Sequence, residues 1–346
     1  MVKACRFIGT LAFVGVFSQL VSNPALAQPR FQDSPEATVA GVTRHYYVRA
    51  ENVSWDYSPS GIDQTHGSKI PAPWDKGNVW DKMRYIEYTD ATYTNLKPQP
   101  EHLGVLGPVI RAEVGDWIFV HFCNGGDQPY SMHPHGVRYD KDSEGAHYGE
   151  PGEGAMVDPG QCFTYKWFAD LESGPTPSQP SSIVWWYHSH INEPEETNAG
   201  LLGALIITRK GWAKSRINPR PFDVDREFVT AFFVFSEADG EEVGMMHSIN
   251  GRFFGNLGGL EMNSGEKVRW HVLGMGNEVD LHTAHWHGKT LNYEGHRTDV
   301  IGLLPAQMAT ADMVADNPGT WMLHCHVSDH LNGGMQTTYK ILSAKK

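Results

Sequence analysis

Apolar and polar residues along this chain alternate in short runs, with no sustained helical period. Residues 38–50 are β-branched and aromatic, which predicts an opening strand. The region 54–100 is rich in Pro, Gly, Asp and Tyr and reads as a long excursion with one strand near 83–88. Further strands are predicted at 109–114, 117–122, 162–167, 184–188 and 202–208, with turn residues between them. No amphipathic helix is expected in this half. A second set follows at 227–235, 267–273, 307–313, 320–324 and 335–342. Short strands separated by turns predict an all-β fold of two antiparallel Greek-key sandwiches.

Residues 211–225 combine Pro219 and Pro221 with mixed charges and are expected to be a linker. That places one domain at 28–212 and a second at 213–346. Residues 1–27 read as a secretory signal: Lys3 and Arg6 form a basic start, an apolar run follows, and Ala25-Leu26-Ala27 supplies small residues for cleavage. A periplasmic or secreted protein is therefore expected. The formal net charge of −12 disfavours nucleic acid and anionic membrane surfaces as partners. Beyond Cys5 the cysteines are Cys123, Cys162 and Cys325. Cys123 and Cys162 lie in strand-like segments and could form a disulfide or remain as two buried thiols.

Candidate chemistry is concentrated in histidine. Four His-x-His pairs occur: His133/His135, His188/His190, His285/His287 and His324/His326. In an extended strand the members of each pair share a face. Cys325, between the last two, points to the opposite face, so one short segment serves two sites back to back. His330 and Met335 follow at loop spacing, and His282 precedes the third pair. Cys, two His and a distant Met are the mixed soft ligand set of a blue copper centre.

The two halves repeat this logic. Residues 130–136 align with 282–288, and 187–190 with 323–326. In the first half Tyr130 stands where His282 is, Ser189 where Cys325 is, and Pro194 where His330 is. The first half thus keeps both its histidine pairs and lacks three ligands of the mononuclear site together.

These residues resemble the multicopper oxidases, specifically two-domain members similar to small bacterial laccases. Segments 101–115, 132–139 and 247–252 resemble the ceruloplasmin branch. The resemblance implies cupredoxin domains and copper in a four-copper set: one type 1, one type 2 and two type 3. By that pattern His282, Cys325, His330 and axial Met335 hold type 1 copper. His133 and His285 hold type 2, and His135, His188, His190, His287, His324 and His326 hold the type 3 pair. It also implies a homotrimer with the cluster between subunits, an electron donor that is a small molecule or metal ion, and O2 as acceptor. Phenols and aromatic amines are the leading donor class, with ferrous or cuprous ions the rival. Glu144, with Asp140 second, is the candidate proton relay. Glu242, His247 and Asp329 resemble the branch's iron site, although an acidic rim that only tunes the copper would look the same. Two alternatives stay open, a copper electron carrier without turnover and a copper nitrite reductase. The latter is disfavoured, because it places its blue site in the first domain and lacks the four pairs.

Overall fold

The chain's first described strand, Thr43–Asp56, alternates exposed and buried positions and sends Val48, Ala50 and Trp55 inward. The computed structural model describes residues 41–238, 241–277 and 279–343; the signal segment 1–27 lies outside them. Among the described residues no helix is long and apolar enough to cross a membrane.

The first half is a sandwich of two four-stranded sheets. One sheet runs Val79–Tyr88, Thr43–Asp56, Trp117–Asn124, Cys162–Phe168; the other runs Ile110–Glu113, Leu202–Thr208, Ser182–His188, His133–Pro134. Val48, Ile118, Phe122 and Trp167 meet Ile110, Leu205, Ile207 and Tyr187 between them. The expected antiparallel pairing holds for most neighbours. Thr43–Asp56 nevertheless runs parallel to Trp117–Asn124, and Arg226–Ser236 parallel to Lys267–Gly274. Parallel neighbours need a crossover connection, and here the chain visits another strand or sheet before returning alongside. Cys123 and Cys162 face each other on adjacent strands and are joined as a disulfide.

One expectation about a connecting segment is corrected. Residues 211–225 are not a bare linker: Ala213–Ser215 and Asn218–Pro221 form a hairpin fixed to the first half by Thr208 Oγ1, which donates to Pro219 O at 2.5 Å. The first half also contains a helix, Glu193–Ala199. Three acids in its first turn, Pro194 near its start and Gly200 with a φ of 112° at its end fit its boundaries. At seven residues it is too short to show a period.

The second half pairs a six-stranded sheet with a five-stranded one. The six-stranded sheet centres on Arg226–Ser236, Lys267–Gly274 and Met308–Val314. The five-stranded sheet carries His282–Trp286, Gly319–Cys325 and Gln336–Leu342. Trp270, Trp286, Tyr339 and Cys325 lie in the core between them.

A third apolar cluster joins the halves. The strand Leu202–Thr208 is buried at every position, because its sheet is covered on both faces. Its outer face packs Trp186, Ala204 and Ile206 against Val229, Ala231, Phe233 and Leu273 of the six-stranded sheet. Trp186 reaches furthest, its indole Nε1 donating to Gly274 O at 3.2 Å.

A buried charge cluster bridges the same junction. Glu227 accepts from Arg111 at 2.8 Å and meets the His271 ring at 3.0 Å. Burial alone would raise its carboxyl, but Arg111 and His271 more than offset that and hold it well below the usual carboxylate range. A depressed carboxylate stabilises the fold at neutral pH, and that contribution is lost as pH falls below its unfolded value near ~4.3. Glu227→Gln is expected to cost about 3–5 kcal/mol at pH 7 and to flatten the acid limb of a urea-midpoint-versus-pH curve. An unchanged acid limb would locate the sensitivity elsewhere.

Candidate metal centres

His282 opens the strand His282–Trp286, Cys325 closes Gly319–Cys325, and His330 sits in the short helix Ser328–Asn332. Pairing Ala284 with Cys325 sets the neighbouring strands in register. Cys325 Sγ lies 4.0 Å from His282 Nδ1 and 3.7 Å from His330 Nδ1, and the two Nδ1 atoms are 3.1 Å apart. All three residues are buried. Burial raises the Cys325 thiol, against backbone N–H groups of Thr283 and Val327 directed at the sulfur. A buried thiol between two ring nitrogens is what a soft cation compensates best, so the donor set fits copper. Met335 is buried beside it, its N donating to His330 O and its O accepting from Cys325 N, both at 2.9 Å.

The side chain that orients this site is one the sequence reading missed. Asp280 is fully buried, and its Oδ1 accepts from His282 Nε2 at 3.0 Å. Val234 N and Asn277 N also donate to the same carboxylate, at 2.8 and 3.0 Å. With Nε2 holding the proton, Nδ1 of His282 is left as the ligand atom. Gly276, at φ 123°, must be glycine, since a Cβ there would come within 2.0 Å of Asp280 Oδ2. The signal was available, because Asp280 stands two residues before His282 and so shares its face in extended chain.

The histidine pairs form two matching half-sites. In the first, His133 pairs in register with His188. His135 Nε2 lies 3.0 Å from His188 Nε2. His133 Nδ1 donates to Glu144 O, and His188 Nδ1 donates to Ser189 O. In the second, His285 pairs with His324, His287 Nε2 lies 3.0 Å from His324 Nε2, and His324 Nδ1 donates to Cys325 O. Ring nitrogens tied to carbonyls leave their partners free for a metal. Burial pushes His135 down to about 4 and His188 to about 3, so both stay neutral and able to ligate. His326 joins through its ring, 5.4 Å from that of His285, and His190 lies 5.0 Å from His133. Where the second half has the Cys325 thiol, the first has Ser189, whose Oγ accepts from Ser131 N.

One chain does not bring the half-sites together. Among the described residues no hydrogen bond or ring contact links a histidine of one to a histidine of the other. The first half-site belongs to the sheet that packs on the six-stranded sheet, whereas the second is carried by the five-stranded sheet beyond it. Stacked sheets lie roughly 10 Å apart, and the six-stranded sheet intervenes. His287 and His326 are exposed in the single chain.

Two family models settle the relationship: one described as multicopper oxidase matches residues 103–211, and a second of the same description matches 230–344. The chain belongs to the multicopper oxidases. Ferroxidase HEPHL1 of Mus musculus is 39% identical over 343 residues, covering 88% of this chain and 30% of that protein. Ceruloplasmin of Homo sapiens is 35% identical over 353 residues, covering 90% and 32%. The chain thus spans about a third of the length of these relatives. A crystal structure of a multicopper oxidase superposes with a TM-score of 0.61 at 20% identity, covering 86% of this chain and 89% of that one, and shares the fold.

The remaining candidates in this multicopper oxidase fall into place unevenly. The Glu144 carboxylate is engaged by Lys141 and by Tyr148 Oη at 2.8 Å. Burial would raise it, but those two hydrogen bonds leave it below its ordinary value. Asp140 accepts from Ser143 N and caps a short turn. Two acids not anticipated lie nearer the rings: Glu193 is 3.4 Å from His190 Nε2, and Asp299 is 3.6 Å from His285 Nε2. His247 and Asp329 line one cavity of about 540 Å³ with His330. The buried His247 ring is 5.2 Å from that of His330, and among the described residues its Nδ1 has no hydrogen-bond partner. Burial and the two neighbouring imidazoles push it down to about 4. Gly333 allows this approach, since a Cβ there would sit 2.3 Å from the His247 ring. Glu242 lies in the turn Glu242–Gly244 just before the strand holding His247.

Removing the orienting carboxylate tests the mononuclear site. Asp280→Ala is expected to weaken copper retention there by about 10–100-fold, with Asp280→Asn intermediate. The measurement is copper-dependent visible absorbance during titration with a chelator. Equal retention in all three proteins would remove Asp280 from this role.

Proposed function

We propose that this chain is a copper-dependent oxidase that withdraws single electrons from ferrous ion at the Cys325 site and passes them to dioxygen at a cluster of eight histidines. Bound copper would supply the one-electron chemistry and the site of dioxygen reduction, in the four-copper set that the donor atoms suit. The observation carrying the ferrous reading is the placement of His247 and Asp329 in one cavity with His330. An unpartnered imidazole nitrogen and a carboxylate suit a divalent cation. The HEPHL1 relative, named a ferroxidase, supports the same choice. Four ferrous ions, one dioxygen and four protons would give four ferric ions and two waters.

This chain's residues have separable roles in that reading. Asp280 holds the His282 proton away from the copper side, and Cys325 carries His324 and His326 on its two peptide bonds. His247 and Asp329 bind and orient the donor. The exposed His287 and His326 and the intervening six-stranded sheet favour a cluster completed by another subunit, in a head-to-tail homotrimer. Secretion or a periplasmic location accords with the Cys123–Cys162 disulfide.

Laccase-type oxidation of phenols is the second reading. Trp74, Met245 and Leu281 also line the cavity, and such walls suit an aromatic ring. Oxygen uptake by copper-loaded protein, with ferrous ion and a phenol in parallel, separates the two. Ferrous-driven uptake should dominate, and His247→Ala or Asp329→Ala should raise KM for ferrous ion roughly 10–100-fold while leaving the phenol reaction unchanged. Dominant phenol uptake, indifferent to both variants, would make the protein a laccase.

A further inference from the structure

A cavity of about 540 Å³, with no member of a histidine pair in its wall, opens between the first half, the Ala213–Pro221 hairpin region and the strand Arg226–Ser236. Five cationic side chains line it, namely Arg44, Lys97, Arg111, Arg216 and Arg220, against two acids, Glu87 and Glu227. In a chain whose formal charge is −12, this concentration of positive charge runs against the general balance.

The cations sit on separate elements and at different depths. Arg44 Nε donates to Asp116 at 2.6 Å, Lys97 Nζ donates to Glu87 at 2.7 Å, and Arg111 donates to Glu227 at 2.8 Å. These pairings fix three of the five heads around the space. The Arg44 guanidinium also donates to Arg216 O at 3.1 Å and so ties the hairpin to the opening strand. Arg220, exposed on Asn218–Pro221, feels the positive field of Arg111 and, more weakly, the negative field of Glu227. His102, on the cavity wall, is pushed down to about 4 by burial and by Arg111, Arg220 and Arg226, and so adds a neutral imidazole. Pro98, Pro100, Leu103 and Val109 separate the charges with apolar surface.

We infer that this cavity binds a small organic polycarboxylate, held by Arg220 and the cations spread around it. One phosphate would fill a small part of the volume and reach one edge of the charge distribution. An aliphatic anion with two or three carboxylates can meet several cations at once and lay its methylenes on the prolines. Guanidinium groups are suited to such carboxylates because their paired donors match two oxygens.

Isothermal titration of the copper-loaded protein with tricarballylate tests this, with its neutral trimethyl ester and inorganic phosphate as parallel probes. The expected result is saturable binding of tricarballylate, with no binding of the ester and weaker binding of phosphate. Arg220→Gln should weaken it roughly tenfold or more, and Arg220→Glu should abolish it. Arg220 lies outside the copper centres, so both variants should retain wild-type oxygen uptake and visible absorbance. Absent tricarballylate binding, or binding unchanged in both variants, would overturn the site. Phosphate binding as tightly as tricarballylate would overturn the polycarboxylate class.

Discussion

Two inactive variants, one with His188 and His190 changed to alanine and the other with His285 and His287 changed, are expected to regain about a quarter of wild-type oxygen uptake when dissociated and reassembled together. Each carries one sound half-site. If a cluster forms where the first half of one subunit meets the second half of the next, random mixing joins two sound half-sites at roughly one junction in four. The second half of the His188/His190 variant also keeps an intact Cys325 site, so a competent junction has its own electron entry. The basis is the separation within one chain: the half-sites belong to sheets with the six-stranded sheet between them, and among the described residues no hydrogen bond or ring contact links their histidines. Sedimentation of the reassembled mixture would establish the ring size. Uptake that stays at background after verified reassembly would place both half-sites of each cluster in one subunit.

Cys325→Ser is expected to take turnover to background and to remove the intense visible absorbance of a thiolate–copper bond, with copper falling by about one per chain. Serine nearly matches cysteine in volume, so the core around Trp286 and Tyr339 should stay packed. The buried hydroxyl should cost only about 1–3 kcal/mol. Far-ultraviolet circular dichroism and retained paired-copper signals distinguish loss of the mononuclear site from unfolding. Turnover surviving this change would mean that electrons enter the histidine cluster by another route.

Much of this was readable along the chain, because it depends on local period. The strands 117–122 and 202–208 lie within Trp117–Asn124 and Leu202–Thr208, where alternation or a continuous apolar run marks burial on one face or two. The back-to-back placement of Cys325 between His324 and His326 follows from the same period of two, and the sulfur indeed faces His282 and His330 while His324 faces His285. Asp280 stands two residues before His282, but what fixes its carboxylate could not be read there, since Val234 is 46 positions away. Asp299 escaped for a similar reason, since it reaches His285 only through strand pairing, whereas Glu193 stands three residues after His190 and was legible there. The disulfide stayed undecided until the pairing of Trp117–Asn124 with Cys162–Phe168 placed the two cysteines opposite one another. The packing of Trp186 against Gly274 could not be read from either segment alone, because an apolar strand does not reveal what covers its second face.

The interior shared by the two sandwiches changes what the intervening peptide is for. Tethers matter where the tethered bodies would otherwise drift apart, and here Trp186, Phe233 and Leu273 already hold them as one solid. Separated at that peptide, the halves would behave as an obligate heterodimer, each exposing a wall of aromatic and aliphatic side chains until it met the other. The hairpin is thus freed from holding the halves together, and its residues can serve instead as the rim of the cationic cavity.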